Sequence, residues 1–86
     1  MRLDKYLKVA RIIKRRTVAK ELLELDRVEI NSRIAKPSTN INVGDILRLK
    51  LRDRYLTIQV LKILENAKVE QAPEMYTILE EEYFEN

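Results

Sequence analysis

The chain has 86 residues, enough for one domain, and it lacks cysteine and histidine, which excludes disulfides, thiolate chemistry and imidazole ligands. Apolar residues make up 45% of it and aromatic ones 6%, so the core is modest and mostly aliphatic. The net charge of +3 is unevenly laid: residues 1–54 hold 15 Lys/Arg against 7 Asp/Glu, residues 55–86 hold 2 against 7, and eleven of the cations precede Pro37. That concentration suits a solvated helical face or a surface for a polyanion. Absence of cysteine is compatible with a reducing cytoplasm. The opening Met1-Arg2-Leu3-Asp4-Lys5 has no apolar leader, and no apolar run approaches the roughly 18 residues of a membrane span, so no membrane partner is expected.

In chain order, Leu3, Tyr6, Leu7 and Ala10 recur at helical spacing and predict an amphipathic helix over the first ten residues. Arg2, Lys5 and Lys8 lie off its apolar stripe. The run from Arg11 to Arg16 predicts a turn, with Ile12 or Ile13 tucked inward. Thr17 is a candidate N-cap for a second helix over about 18–25, with Val18, Leu22 and Leu25 buried. The same threonine, between Arg16 and Lys20 at a helix N-terminus, alternatively helps to seat a phosphate. Val28-Glu29-Ile30 and Ile34-Ala35 predict a tight hairpin that Lys36-Pro37-Ser38 terminates. Val43-Gly44-Asp45 turns into a strand from Ile46, with Leu47, Leu49 and Leu51 on one side and Arg48, Lys50 and Arg52 on the other. Tyr55–Leu64 predicts a further strand. The expected class is α+β, two N-terminal helices packed on a small, mainly antiparallel sheet over residues 1–64. Residues 65–86 are expected to form an acidic tail, as a short helix or partly disordered.

Catalysis has little material here: no histidine base, no cysteine nucleophile and a single glycine, Gly44, so no phosphate-cradling loop. Asp4, Asp26, Asp45 and Asp53 sit in helix-start or turn contexts, where aspartate has ordinary structural work. Glu80–Glu82 reads as a solvated run, not as a metal site. The expectation is a non-enzyme without cofactor or metal, acting as a monomer. Binding has more to work with. Arg2, Lys5, Arg11, Lys14, Arg15, Arg16 and Lys20 come from two short helices and their turn and can share a face, and four of the seven are arginine, whose planar fork suits phosphate oxygens. Tyr6 belongs to the apolar stripe and Tyr55 to a strand, which favours structured RNA over base-stacked single strands.

The residues Arg2-Leu3-Asp4-Lys5-Tyr6-Leu7, Lys14-Arg15-Arg16-Thr17, Ala19-Lys20-Glu21-Leu22, Arg27-Val28, Ile30-Asn31, Lys36-Pro37-Ser38 and Val43-Gly44-Asp45 resemble, in order and spacing, the RNA-binding domain named after ribosomal protein S-four. A free-standing copy of this length is similar to the heat-shock protein fifteen group and to its short relatives in bacterial ribosome-associated quality control. The resemblance implies a factor on the large subunit of stalled, split ribosomes, touching large-subunit rRNA and peptidyl-tRNA. There it holds P-site tRNA while a tailing factor adds C-terminal alanines. It also implies RNA-facing roles for Arg2, Lys5, Arg15, Arg16, Thr17 and Lys20, and for Asn31. Asp26 and Asn31-Ser32 stand where that family usually has glycine, and both residue types tolerate positive φ better than most. Two other readings are an RNA-targeting accessory of a separate RNA-modifying enzyme and a helix-turn-helix DNA reader.

Overall fold

The computed structural model describes residues 1–85. The first helix, α1, runs Leu3–Val9, and its stripe of Leu3, Tyr6 and Leu7, continued by Ala10, is buried as the spacing predicts. It ends in a Schellman motif: Ile12 N–H donates to Leu7 C=O and Arg11 N–H to Lys8 C=O, with Arg11 in the left-handed region at φ 59°. Ile13 is the isoleucine tucked fully inward, and Ile12 is half-buried.

The second helix, α2, spans Arg16–Glu24 and ends the same way, with Arg27 N–H on Leu22, Asp26 N–H on Leu23 and Asp26 at φ 57°. Its buried positions correct the expected stripe. Ala19 and Leu23 face the core, Leu22 is half-buried, and Val18 and Leu25 are exposed. The run Glu21-Leu22-Leu23-Glu24-Leu25 supports two stripes one residue apart, and the one containing the small Ala19 lets α2 approach α1 closely.

Five strands follow: β1 Val28–Ile30, β2 Arg33–Ile34, β3 Ile46–Lys50, β4 Arg54–Val60 and β5 Tyr76–Tyr83, the last preceded by a 3-10 turn, Ala72–Met75. Their order across the sheet is β2-β1-β3-β4-β5, every pair antiparallel. The expected α+β class, two helices on a small antiparallel sheet, is the fold observed. Register brings Val28 opposite Leu49, and Leu47 and Leu49 opposite Ile58 and Leu56, so one face packs these residues beneath the helices. The β1–β2 hairpin turns through Asn31 (φ 48°) and Ser32 (φ 69°), the two left-handed positions of a type I′ turn.

The acidic C-terminal segment differs from expectation. Tyr76–Tyr83 forms a full edge strand on β4, with a register shift at Thr57/Ile58, instead of a short helix or a disordered tail. The pairing of its backbone with β4 outweighs the poor strand propensity of Glu80-Glu81-Glu82. Tyr6 ties this part of the chain to α1: its buried hydroxyl donates to the Met75 carbonyl at 2.8 Å. Among the described residues no helix is long and apolar enough to cross a membrane.

Candidate nucleic-acid interface

The N-terminus of α1 is closed by the protein itself. Leu3 N–H donates to the Thr39 carbonyl at 2.8 Å, Asp4 N–H to Pro37 at 3.2 Å, and Lys5 N–H to Asp4 Oδ1 at 2.8 Å. The Met1 ammonium donates to Asn40 Oδ1, and Ile41 N–H returns to Met1 C=O, which stitches the start of the chain onto the 36–41 loop. Arg2 is thereby held at the mouth of α1.

Asp4 then gathers the cations. Its carboxylate is buried, 3% exposed, and accepts Arg2 Nε on Oδ1 and Arg2 Nη2 on Oδ2, both at 3.2 Å, and Arg16 Nη2 on Oδ1 at 3.3 Å. Burial alone raises the pKa of a carboxyl. Here the bonds from Arg2, Arg16 and the Lys5 amide outweigh it and hold Asp4 below the ordinary aspartate value. Both arginine side chains remain about half exposed, at 51% and 48%, and each guanidinium has donors to spare beyond those given to Asp4. Arg2 and Arg16, fourteen residues apart in sequence, thus meet at one point, and Lys20 lies one helical turn beyond Arg16, exposed on α2.

The N-terminus of α2 contrasts with that of α1. Its N-cap is Arg15 and no side chain caps it, so the expected capping role of Thr17 is not realised. Helix begins at Arg16, which places Thr17 inside the first turn, exposed, its hydroxyl no longer at the cap position. Lys14, Arg15, Arg16 and Thr17 are all exposed around first-turn amides without a side-chain acceptor, an arrangement that attracts anionic oxygens.

The other expected residues are differently placed. Lys5 Nζ is paired at 2.6 Å with Glu65, whose carboxyl this contact holds below the ordinary glutamate range. Arg11 reaches the Ala67 carbonyl at 3.4 Å. Asn31 uses its side chain internally: Nδ2 donates to Asp45 Oδ1 at 3.0 Å, and Oδ1 accepts Ile46 N–H at 2.9 Å, which fastens the hairpin turn to the start of β3. Among the described residues no hydrogen bond links it to the Asp4 junction. Sequence reasoning missed Asp4 itself. The available signal was a carboxylate three residues before Leu7, bordering the apolar stripe between two cations. Among the described residues there is no enclosed pocket and no acidic cluster arranged to hold a metal ion.

Comparison with known proteins places these elements in a lineage. The S4 domain family matches residues 1–47, the stretch that contains both helices, the hairpin and the 36–41 loop. This chain belongs to the S4 domain family. Within that family it is 56% identical to the RQC P-site tRNA stabilizing factor of Listeria innocua, over 95% of this chain and 89% of that protein. It is 48% identical to the RQC P-site tRNA stabilizing factor of Bacillus subtilis, over 95% of each. Among solved structures, trimeric Vibrio cholerae heat shock protein 15 superposes with a TM-score of 0.83 at 32% identity, covering 91% of this chain and 80% of that one. That superposition takes in more of the chain than the 47 residues the family model matches.

Proposed function

We propose that this S4-domain protein is a non-catalytic RNA-binding factor of ribosome-associated quality control. It binds the large subunit of stalled, split ribosomes through rRNA and peptidyl-tRNA and stabilises the P-site tRNA while a separate tailing factor adds C-terminal alanines. The observation that carries the reading is the convergence of Arg2 and Arg16 on Asp4 beside the uncapped N-terminus of α2. The names of its relatives in Listeria innocua and Bacillus subtilis supply the biological setting. RNA contact falls within residues 1–64, and β5 of the acidic segment forms the edge of the sheet.

The chemistry follows from geometry. Half-exposed arginine side chains with unused guanidinium donors bind phosphate oxygens through charge-assisted, directional bonds. The open amides of α2 add fixed partial positive charge at no further ordering cost. About six phosphate contacts give a log-affinity against log-salt slope of roughly −4 to −5. The test is co-sedimentation with purified bacterial large ribosomal subunits. Arg16→Glu is expected to abolish it and Arg16→Ala to weaken it, with circular dichroism spectra unchanged. Full retention by the folded Arg16→Glu protein overturns the site.

A further inference from the structure

We propose that Asp4, an acid at the heart of a basic surface, is a positioning residue for RNA: it shares its carboxylate between Arg2 and Arg16 and locks two guanidiniums, one from the residue preceding α1 and one from α2, into one clamp. This rests on the RNA-binding reading above and deepens it, because simple electrostatics assigns Asp4 the opposite sign. A negative charge near a polyanion weakens binding by Coulomb repulsion, so its removal should tighten the complex.

Three observations favour the clamp. First, the carboxylate is 3% exposed whereas its two arginines are half exposed, so the cations, not the acid, face an incoming phosphate. Second, Arg2 Nε and Arg16 Nη2 lie at 3.2 and 3.3 Å from the same Oδ1, so the two guanidiniums are adjacent before RNA arrives. Arginine has one of the largest rotamer entropies of any side chain, and anchoring one edge of each fork reduces what binding must still immobilise. Third, the anchors consume part of the donor set. Arg2 gives Nε and Nη2 and Arg16 gives Nη2, which leaves the remaining N–H groups for phosphate. Three of the bonds to Asp4 come from side chains on which the interface depends, and the fourth, from the Lys5 amide, fixes the carboxylate to α1.

The experiment titrates purified large ribosomal subunits with wild type, Asp4→Asn, Arg16→Ala and the double variant, at a temperature where each is folded. Asp4→Asn is expected to bind roughly tenfold more weakly despite its higher positive charge, and Arg16→Ala to cost much less in the Asp4→Asn background than alone. A merely structural role for Asp4 gives additive losses, and an electrostatic role gives tighter binding; either overturns the clamp. Arg16→Lys is the second arm, since it keeps the charge at an exposed position and disturbs no core. It is expected to lose several-fold in affinity, because a lone ammonium cannot bridge carboxylate and phosphate as a fork, and affinity equal to wild type refutes the proposal. Wild-type protein that fails to bind the subunits defeats the RNA reading itself, a distinct result.

Discussion

Tyr6→Phe isolates the bond that fixes α1 to the far end of the chain. The Tyr6 ring is fully buried and stays in the variant, so no substantial cavity opens. The Met75 carbonyl that loses the hydroxyl keeps two other donors, Leu61 N–H at 2.9 Å and Lys62 N–H at 3.2 Å, so no buried acceptor is orphaned. The cost is therefore that of one net hydrogen bond, about 1 kcal/mol, which lowers Tm by roughly 4–8 °C in a domain of this size. Alkaline pH adds a second signature. Burial, with Tyr76 nearby, pushes the Tyr6 phenol well above its ordinary value. A raised folded-state pKa means stability that is complete below the unfolded value of about 10 and is lost as pH climbs beyond it. At pH 10.5 that loss is on the order of 1 kcal/mol for wild type and absent in the variant, so the two proteins nearly converge. Urea unfolding followed by circular dichroism at pH 7 and 10.5 measures both. A deficit above about 3 kcal/mol at neutral pH, or one that does not shrink in alkali, refutes this account of the bond.

Two further substitutions probe left-handed backbone. Arg11→Gly relieves the αL strain at φ 59° and is expected to raise stability by about 0.5–1 kcal/mol. If Arg11 also contacts phosphate, the same change makes the salt slope for large-subunit binding shallower by about 0.7–0.9, so thermal melts and binding titrations move in opposite directions. Ser32→Gly creates the Asn-Gly pair that type I′ turns prefer and is expected to stabilise by about 0.5–1 kcal/mol in thermal melts. A loss of stability there contradicts the turn assignment.

Local periodicity made some of this readable in advance. Leu3, Tyr6, Leu7 and Ala10 admit one helical face, and Leu47 and Leu49 alternate with cations as only a half-buried strand does. The second helix was ambiguous because three leucines in four residues, Leu22, Leu23 and Leu25, support either of two faces, and packing against α1 chooses. The last strand left little trace, since an edge strand with three consecutive glutamates is specified by its pairing with β4 and not by burial of alternate side chains. At the candidate interface, the cations were legible as a cluster of charge. The carboxylate that joins two of them was not, because an aspartate in a first helical turn looks ordinary until Arg16 is brought beside it from the next helix.

The bond between Tyr6 and Met75 spans 69 positions, and the layer under α1 also draws on Ile58 and Val60. During synthesis the first helix is therefore made long before the residues that seat it. Translation adds residues at about 5–20 per second, so several seconds separate the emergence of the cationic helix from the arrival of its floor. Through that interval the nascent chain carries its basic segment without the packing that arranges it, and α1 gains its anchor only after Met75 has been made.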